Sequence, residues 1–243
     1  MFWPGNGVKG LCVTIGILTI GQSPRDDVVP SMRAIWGEHV PVIQRGALDD
    51  MSGEQLESLA PTSDSLLVSR LRDGAEIRLD ADRVEELLQD AAGWLVRAGV
   101  DLLLVLCTGS SRVRSDSATV IQPRELFPRL VRGLTPGRVG ILLPAIEQEM
   151  AARDLFGAHC ADVITTHASP YAFDGDRTAF ADAAAFFRRE RVDLIAMNCM
   201  GYRADMARFL RREAGVPAIP ASVAVAHSVA LLVDPQGSAK LEG

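Results

Sequence analysis

Two cysteines in this chain sit in the same local setting. The segments VDLLLVLCTG (100–109) and VDLIAMNCMG (192–201) align without a gap, placing Cys107 on Cys199 and Gly109 on Gly201 at an offset of 92 residues. Each is an apolar run that ends at a thiol, with a glycine two residues on. An unbroken apolar run is how a strand buried on both faces reads, and the glycine marks the turn out of it. Both thiols are therefore expected at the carboxyl ends of strands, where open α/β sheets bind ligands. Opposed thiols suit one kind of chemistry: one takes a proton from carbon and the other returns a proton to the opposite face. The working base is a thiolate, and moving a free thiol from about 8.5 to about 7 requires about 2 kcal/mol of preferential stabilisation. A helix N-terminus supplies about 0.3–1 kcal/mol, so further donors are needed. The neighbours on offer are Thr108, Gly109, Ser110 and Ser111 beside the first thiol, and Asn198, Met200, Gly201 and Tyr202 beside the second. The same hydroxyls and turn amides can hold a substrate carboxylate.

A third group stands at Gly21-Gln22-Ser23-Pro24-Arg25, again at a strand's carboxyl end. Gln22 and Ser23 face the same mouth in this reading, and Arg25 can grip a carboxylate bidentately. Each candidate has a plainer alternative. Free cysteines often only pack, which is the reading preferred for Cys12 and Cys160. Thr108 and Ser110 can be helix caps, Arg25 can pair locally with Asp26 or Asp27, and His227 reads as a core histidine.

The elements that must position these residues follow from the pattern. Val13 to Ile20 is a strand, and Ser23 with Pro24 reads as the start of a helix from Arg25 to Trp36. Val40 to Gln44 is a second strand, followed by a helix from Ser52 to Leu59. A hairpin is expected at Leu66–Leu71 and Ala75–Leu79 around Asp73-Gly74. A long helix to Ala98 then precedes the strand ending at Cys107. The second half repeats the plan: strand Arg138–Leu143, helix Ala145–Phe156, strand Asp162–Thr166, helix Asp176–Arg191 and the strand ending at Cys199. A helix Tyr202–Ala214, a short strand Pro217–Pro220 and an apolar helix Ser222–Val233 close it. Alternating strands and helices imply parallel sheets. The expected fold is α/β, with two pseudo-symmetric parallel-sheet three-layer domains facing across a cleft. The first comprises residues 12–115 plus the returning helix 221–233, with a helix-hairpin insertion at about 46–80. The second comprises residues 116–220.

Bulk properties narrow the function. With 48% hydrophobic residues, the 243-residue chain can bury a sizeable core. A formal charge of −6 argues against nucleic acid as a partner, and no run reaches the ~20 apolar residues of a membrane span. Four cysteines without short paired spacing fit neither a zinc ribbon nor a disulfide framework and point to a reducing cytoplasm. No dinucleotide fingerprint, phosphate loop or metal-ligand cluster is present, so no cofactor is expected. A homodimer is the default assembly.

The segments LTIGQSPRDDVVP (18–30), ASPY (168–171) and NCMGY (198–202) resemble the AroM-like family, and the element order matches from Val13 to Val233. That family resembles the wider aspartate/glutamate racemase superfamily, which includes hydantoin racemase, maleate isomerase and arylmalonate decarboxylase. The resemblance implies the two-domain frame, cofactor-independent chemistry and working cysteines at the positions of Cys107 and Cys199. Racemases carry Cys-Asn-Thr and Gly-Cys-Thr-His there, whereas this chain has Cys107-Thr108-Gly109 and Asn198-Cys199-Met200-Gly201. The expectation is a racemase or isomerase moving a proton between two cysteines on a small carboxylate. A single-cysteine decarboxylase or lyase is an alternative, as is a non-catalytic ligand sensor whose thiols only pack.

Overall fold

The computed structural model describes residues 13–62, 66–109, 111–135 and 137–233. Its first sheet contains β1 (Ile15–Thr19), β2 (Val42–Gly46), β5 (Leu102–Val105) and β6 (Thr119–Ile121) in the order β2-β1-β5-β6. The second contains β7 (Arg138–Leu143), β8 (Asp162–His167), β9 (Leu194–Met197) and β10 (Ala218–Pro220) in the order β10-β9-β7-β8. Matching β1 to β7, β2 to β8, β5 to β9 and β6 to β10 makes the two orders the same, and all pairings in both sheets are parallel.

The repeated Val-Asp pair has a structural reason. Asp101 accepts the backbone N–H of Thr14 at 2.8 Å, and Asp193 accepts that of Arg138 at 2.7 Å. Each aspartate thus pins the start of the neighbouring strand and sets the register that brings the thiol to the sheet's far edge. The strand interiors are fully buried on both faces, as the apolar runs require.

Helices α1 (Val29–Trp36), α4 (Pro123–Leu134), α5 (Glu149–Gly157) and α8 (Ala221–Val233) lie between the sheets and share one core with them. Helix α8 packs on α1 and α4, so the chain's last helix returns to the first half. The long α3 (Ala81–Arg97), capped by the Asp80 carboxylate on the N–H groups of Asp82 and Arg83, covers the outer face of the first sheet. Helices α6 (Thr178–Arg189) and α7 (Ala204–Ala214) cover that of the second.

Two features differ from the sequence expectation. Strand β6 pairs with β5, which puts residues 119–121 on the first sheet rather than in the second unit, and α4 follows it. A three-residue strand too short to show a period went unread. Helix α1 starts at Val29 rather than Arg25, because residues 21–28 form a turn with a cis Ser23–Pro24 peptide bond, and the Ser23 hydroxyl donates to Asp49 instead of capping a helix.

The helix-hairpin insertion is present as α2 (Gly53–Glu57), β3 (Leu66–Arg70) and β4 (Glu76–Asp80). The antiparallel pair turns at Gly74, whose φ of 96° suits glycine. It lies across the gap between the two sheets.

Candidate functional site

Cys107 and Cys199 line one cleft, together with Arg25, Thr108, Gly109, Asn198, Met200, Gly201 and Tyr171. The two thiol turns are alike in detail. The Gly109 N–H donates to the Cys107 sulfur at 3.2 Å, and the Gly201 N–H donates to the Cys199 sulfur at 3.4 Å. Both glycines are also closely packed by side chains. A Cβ on Gly109 would stand 2.4 Å from Leu67 Cδ2 and 3.3 Å from the Cys107 sulfur, and one on Gly201 would stand 2.9 Å from the Tyr171 hydroxyl. The Thr108 hydroxyl donates to the Asn198 carbonyl at 3.0 Å and so ties the first turn to the second.

The hairpin forms the cleft's roof. Leu67, Val68 and Ser69 line it, and the space left in the cleft is about 20 Å³, room for roughly one water. Backbone and side chains fasten the roof to both halves. Arg70 accepts the Gln22 N–H at 3.1 Å, and Arg72 reaches the Ser23 carbonyl at 2.8 Å. On the other side, Ser169 donates to Glu76 at 2.5 Å, Arg78 pairs with Glu147 at 2.8 Å and Gln148 donates to the Leu66 carbonyl at 3.0 Å.

Enclosure sets the electrostatics. Burial pushes the Cys107 thiol up to about 12, against the lowering effect of the Gly109 N–H and of Arg25 and Arg124. Burial likewise pushes Cys199 up to about 11, against the Gly201 N–H and Arg25. Both thiols therefore hold their protons at neutral pH in this enclosure. Tyr171 is raised by burial in the same way and stays a neutral phenol.

Arg25 lies at the cleft wall, 3% exposed, but its donors are already engaged. Asp27 takes Nε at 2.8 Å and Nη2 at 2.9 Å, the Thr19 hydroxyl takes Nη1 at 3.2 Å, and Tyr171 takes Nη2 at 3.4 Å. The bidentate grip expected for a substrate carboxylate is held by Asp27. Burial alone would lower the Arg25 pKa, but Tyr171, Asp27 and Cys199 raise it overall, so the guanidinium is a fixed positive charge behind the thiols.

Several candidates lie away from the cleft. The Gln22 side chain bridges the Leu48 carbonyl and the Arg72 N–H, and Ser23 is bound to Asp49, so both build the turn instead of lining the thiol site. Tyr202 is fully buried in the second half's outer core, its hydroxyl donating to the Ala168 carbonyl at 2.8 Å. Its aromatic ring and position after the glycine suggested the site; the turn into α7 points it inward. Ser110 lies outside the described residues.

Two site residues were missed. Tyr171 stood in the recognised ASPY segment without an assigned role, and its neighbour Ser169 anchors the roof. Arg124 stands in the first turn of α4 and lines a second space that shares Leu67, Thr108, Gly109, Gln148 and Asn198 with the thiol cleft. The mark it left in the sequence was the proline-led amphipathic helix 123–134, because β6 before it is too short to show a period.

Comparison with known proteins agrees with the geometry. No curated protein matches the sequence. The fold is that of glutamate racemase from Francisella tularensis subsp. tularensis SCHU S4 in complex with D-glutamate, at TM-score 0.61 and 13% identity over 91% of this chain and 81% of that one. The maleate isomerase Iso from Pseudomonas putida S16 superposes at TM-score 0.60 and 15% identity, covering 91% and 93%. Allantoin racemase from Klebsiella pneumoniae superposes at 0.57 and 19% identity, covering 91% and 87%. Residues 15–233 match the family described as AroM protein. The two-sheet frame with a thiol on each lip is thus the form that the AroM family takes here, and this chain belongs to that family.

Proposed function

We propose that the protein is a cofactor-independent racemase or isomerase of a small carboxylate, in which Cys107 and Cys199 exchange protons with one carbon from opposite sides. One thiolate takes the proton from carbon, the electron pair delocalises into the adjoining carboxyl, and the other thiol gives its proton to the opposite face. Nothing is oxidised or reduced, so no co-reactant is consumed. The observation that carries this reading is the pair of matched thiol turns lining a single cleft.

The closed form is a resting state in this scheme. Ionising a thiol of about 11 at pH 7 costs about 5 kcal/mol, and a one-water space admits no substrate. Opening the hairpin admits substrate and solvent, and rehydration lowers both thiols toward the range where a base operates. Arg25 keeps its charge throughout and favours whichever thiol is ionised.

The test is solvent exchange. Enantiopure small carboxylates carrying an α-hydrogen, such as lactate, 2-methylsuccinate and N-acetylalanine, are incubated in heavy water with wild type, Cys107→Ser and Cys199→Ser. Exchange lost in both variants supports the paired mechanism; exchange unchanged in both removes it. The protonated state of both thiols favours a second reading, a decarboxylase or lyase in which Cys199 alone donates a proton. Carbon dioxide release from a substituted malonate that survives in Cys107→Ser but not in Cys199→Ser would select it. We place this activity in the cytoplasm, on the grounds of the unpaired thiols; among the described residues no helix is long and apolar enough to cross a membrane.

A further inference from the structure

Arg25 in the cleft wall and Arg70 and Arg78 on the hairpin each face a carboxylate, Asp27 for the first two and Glu147 for the third. Arg124 differs. It is half-buried, it lines a space of about 80 Å³ adjoining the thiol cleft, and among the described residues it has no hydrogen-bond or ion-pair partner. A guanidinium partly withdrawn from water with its fork of donors unengaged is placed to take an anionic ligand.

A second group on the same wall is also unmatched. Asn198 is 8% exposed, and its side-chain oxygen is buried without a partner. Its backbone is fixed from both halves, the N–H donating to the Leu142 carbonyl at 2.8 Å and the C=O accepting from Thr108. The residue is thus anchored by its backbone at the boundary of both spaces, and its carboxamide oxygen is an acceptor left over. A buried acceptor without a donor costs about 1–3 kcal/mol, which a ligand N–H or O–H would recover.

We infer that this adjoining space is the subsite that fixes the substrate: Arg124 takes its carboxylate, and Asn198 accepts a hydrogen bond from a donor on the same small molecule. The inference rests on the cleft being a substrate site, as proposed above, and it narrows the class to carboxylates bearing an amide N–H or hydroxyl near the reacting carbon. The volume sets the size. At 10–15 Å³ per water, 80 Å³ holds roughly five to eight waters, which corresponds to a ligand of about eight non-hydrogen atoms.

Three isosteric probes separate the contributions. N-acetylglycine carries both groups, 4-oxopentanoate replaces the N–H by CH₂, and N-acetylglycinamide replaces the carboxylate by a neutral amide. Each is titrated by calorimetry into the full chain as wild type, Arg124→Gln, Arg124→Lys and a Cys107→Ser/Cys199→Ser double variant. The expected result is binding of N-acetylglycine, with at least fivefold weaker binding of the other two. Arg124→Gln should weaken N-acetylglycine by about tenfold to a hundredfold, the range for losing a charged hydrogen bond, and Arg124→Lys should keep part of the affinity. Equal affinity for all three probes, an Arg124→Gln affinity within twofold of wild type, or no binding by any probe would each overturn the assignment. Binding through Arg124 in the double variant, without exchange in wild type, removes the proton-transfer mechanism and leaves the subsite. Exchange that is indifferent to Arg124 does the reverse.

Discussion

The two halves of this molecule share a sheet order and a thiol turn, yet they differ in what surrounds the thiol. In the second half, the chain leaves Cys199 through a tight turn into α7, and the Tyr202 ring locks that turn into the outer core. In the first half, no helix intervenes between Cys107 and β6 among the described residues, and the space is instead roofed by the inserted hairpin. The charges are distributed as unequally. The Arg25–Asp27 pair belongs to the first half, and Arg25 reaches across the cleft to hydrogen-bond the Tyr171 phenol. The duplicated part carries the two matched thiol turns, whereas the inserted hairpin and the Arg25–Asp27 pair have no counterpart in that repeat.

The sharpest way to break the comparison is to remove the charge that only one half has. Asp27→Asn leaves a buried Arg25 without its counter-charge and should cost about 3–5 kcal/mol, read from urea denaturation midpoints. Next is the contact that seats the roof on the first half. A Cβ on Gly21 would stand 2.1 Å from the Arg70 carbonyl, so Gly21→Ala should cost about 1–3 kcal/mol and speed alkylation of Cys107. Gly133→Ala, in α4 with nothing within 4 Å, is the control and should stabilise by about 0.5–1 kcal/mol.

The roof's fastening to the second half gives smaller, graded effects. Glu76→Gln combined with Ser169→Ala should raise the rate of Cys199 alkylation by iodoacetamide about tenfold, since a charge-assisted hydrogen bond is lost. Arg78→Ala removes an exposed pair and should raise it no more than about fivefold.

The thiols also leave a signature at alkaline pH. In the folded chain Cys199 keeps its proton to about 11 and Cys107 to about 12, whereas in the unfolded chain both ionise near 8.5. The unfolded state therefore loses protons first. The stability that the thiols contribute below pH 8.5 falls as pH rises from there toward 11. Cys199→Ala should show a shallower drop in melting temperature between pH 8 and pH 10 than wild type.

Much of this was legible in the residues. The repeated Val-Asp…Cys-x-Gly declared the duplication because strand burial, register and turn all leave local marks. The hairpin was equally plain, since Asp73-Gly74 stands between two alternating runs. Long-range pairing left no such mark. The local Arg25–Asp27 pair was one of two readings open from the residues, but nothing in Gly-Gln-Ser-Pro-Arg shows that Asp49 and Arg72 draw Ser23 and Gln22 away from the cleft. Tyr202 belongs to a motif that ends at the site, but its side chain follows the helix it introduces into the core. Arg124 was hidden behind β6, whose three residues carry no period, and its meaning depends on the absence of a partner, which only the folded arrangement reveals.

The fate of the isotope in a single early time point tests the paired-thiol account most directly. One enantiomer of an active carboxylate is incubated in heavy water with the wild-type chain, the reaction is stopped at low conversion, and deuterium is measured separately in product and recovered starting material. Two thiols serving opposite faces place solvent deuterium in the product and leave the recovered starting material unlabelled. Equal labelling of both pools would mean that one group both removes and returns the proton, and the account of two opposed cysteines would be wrong.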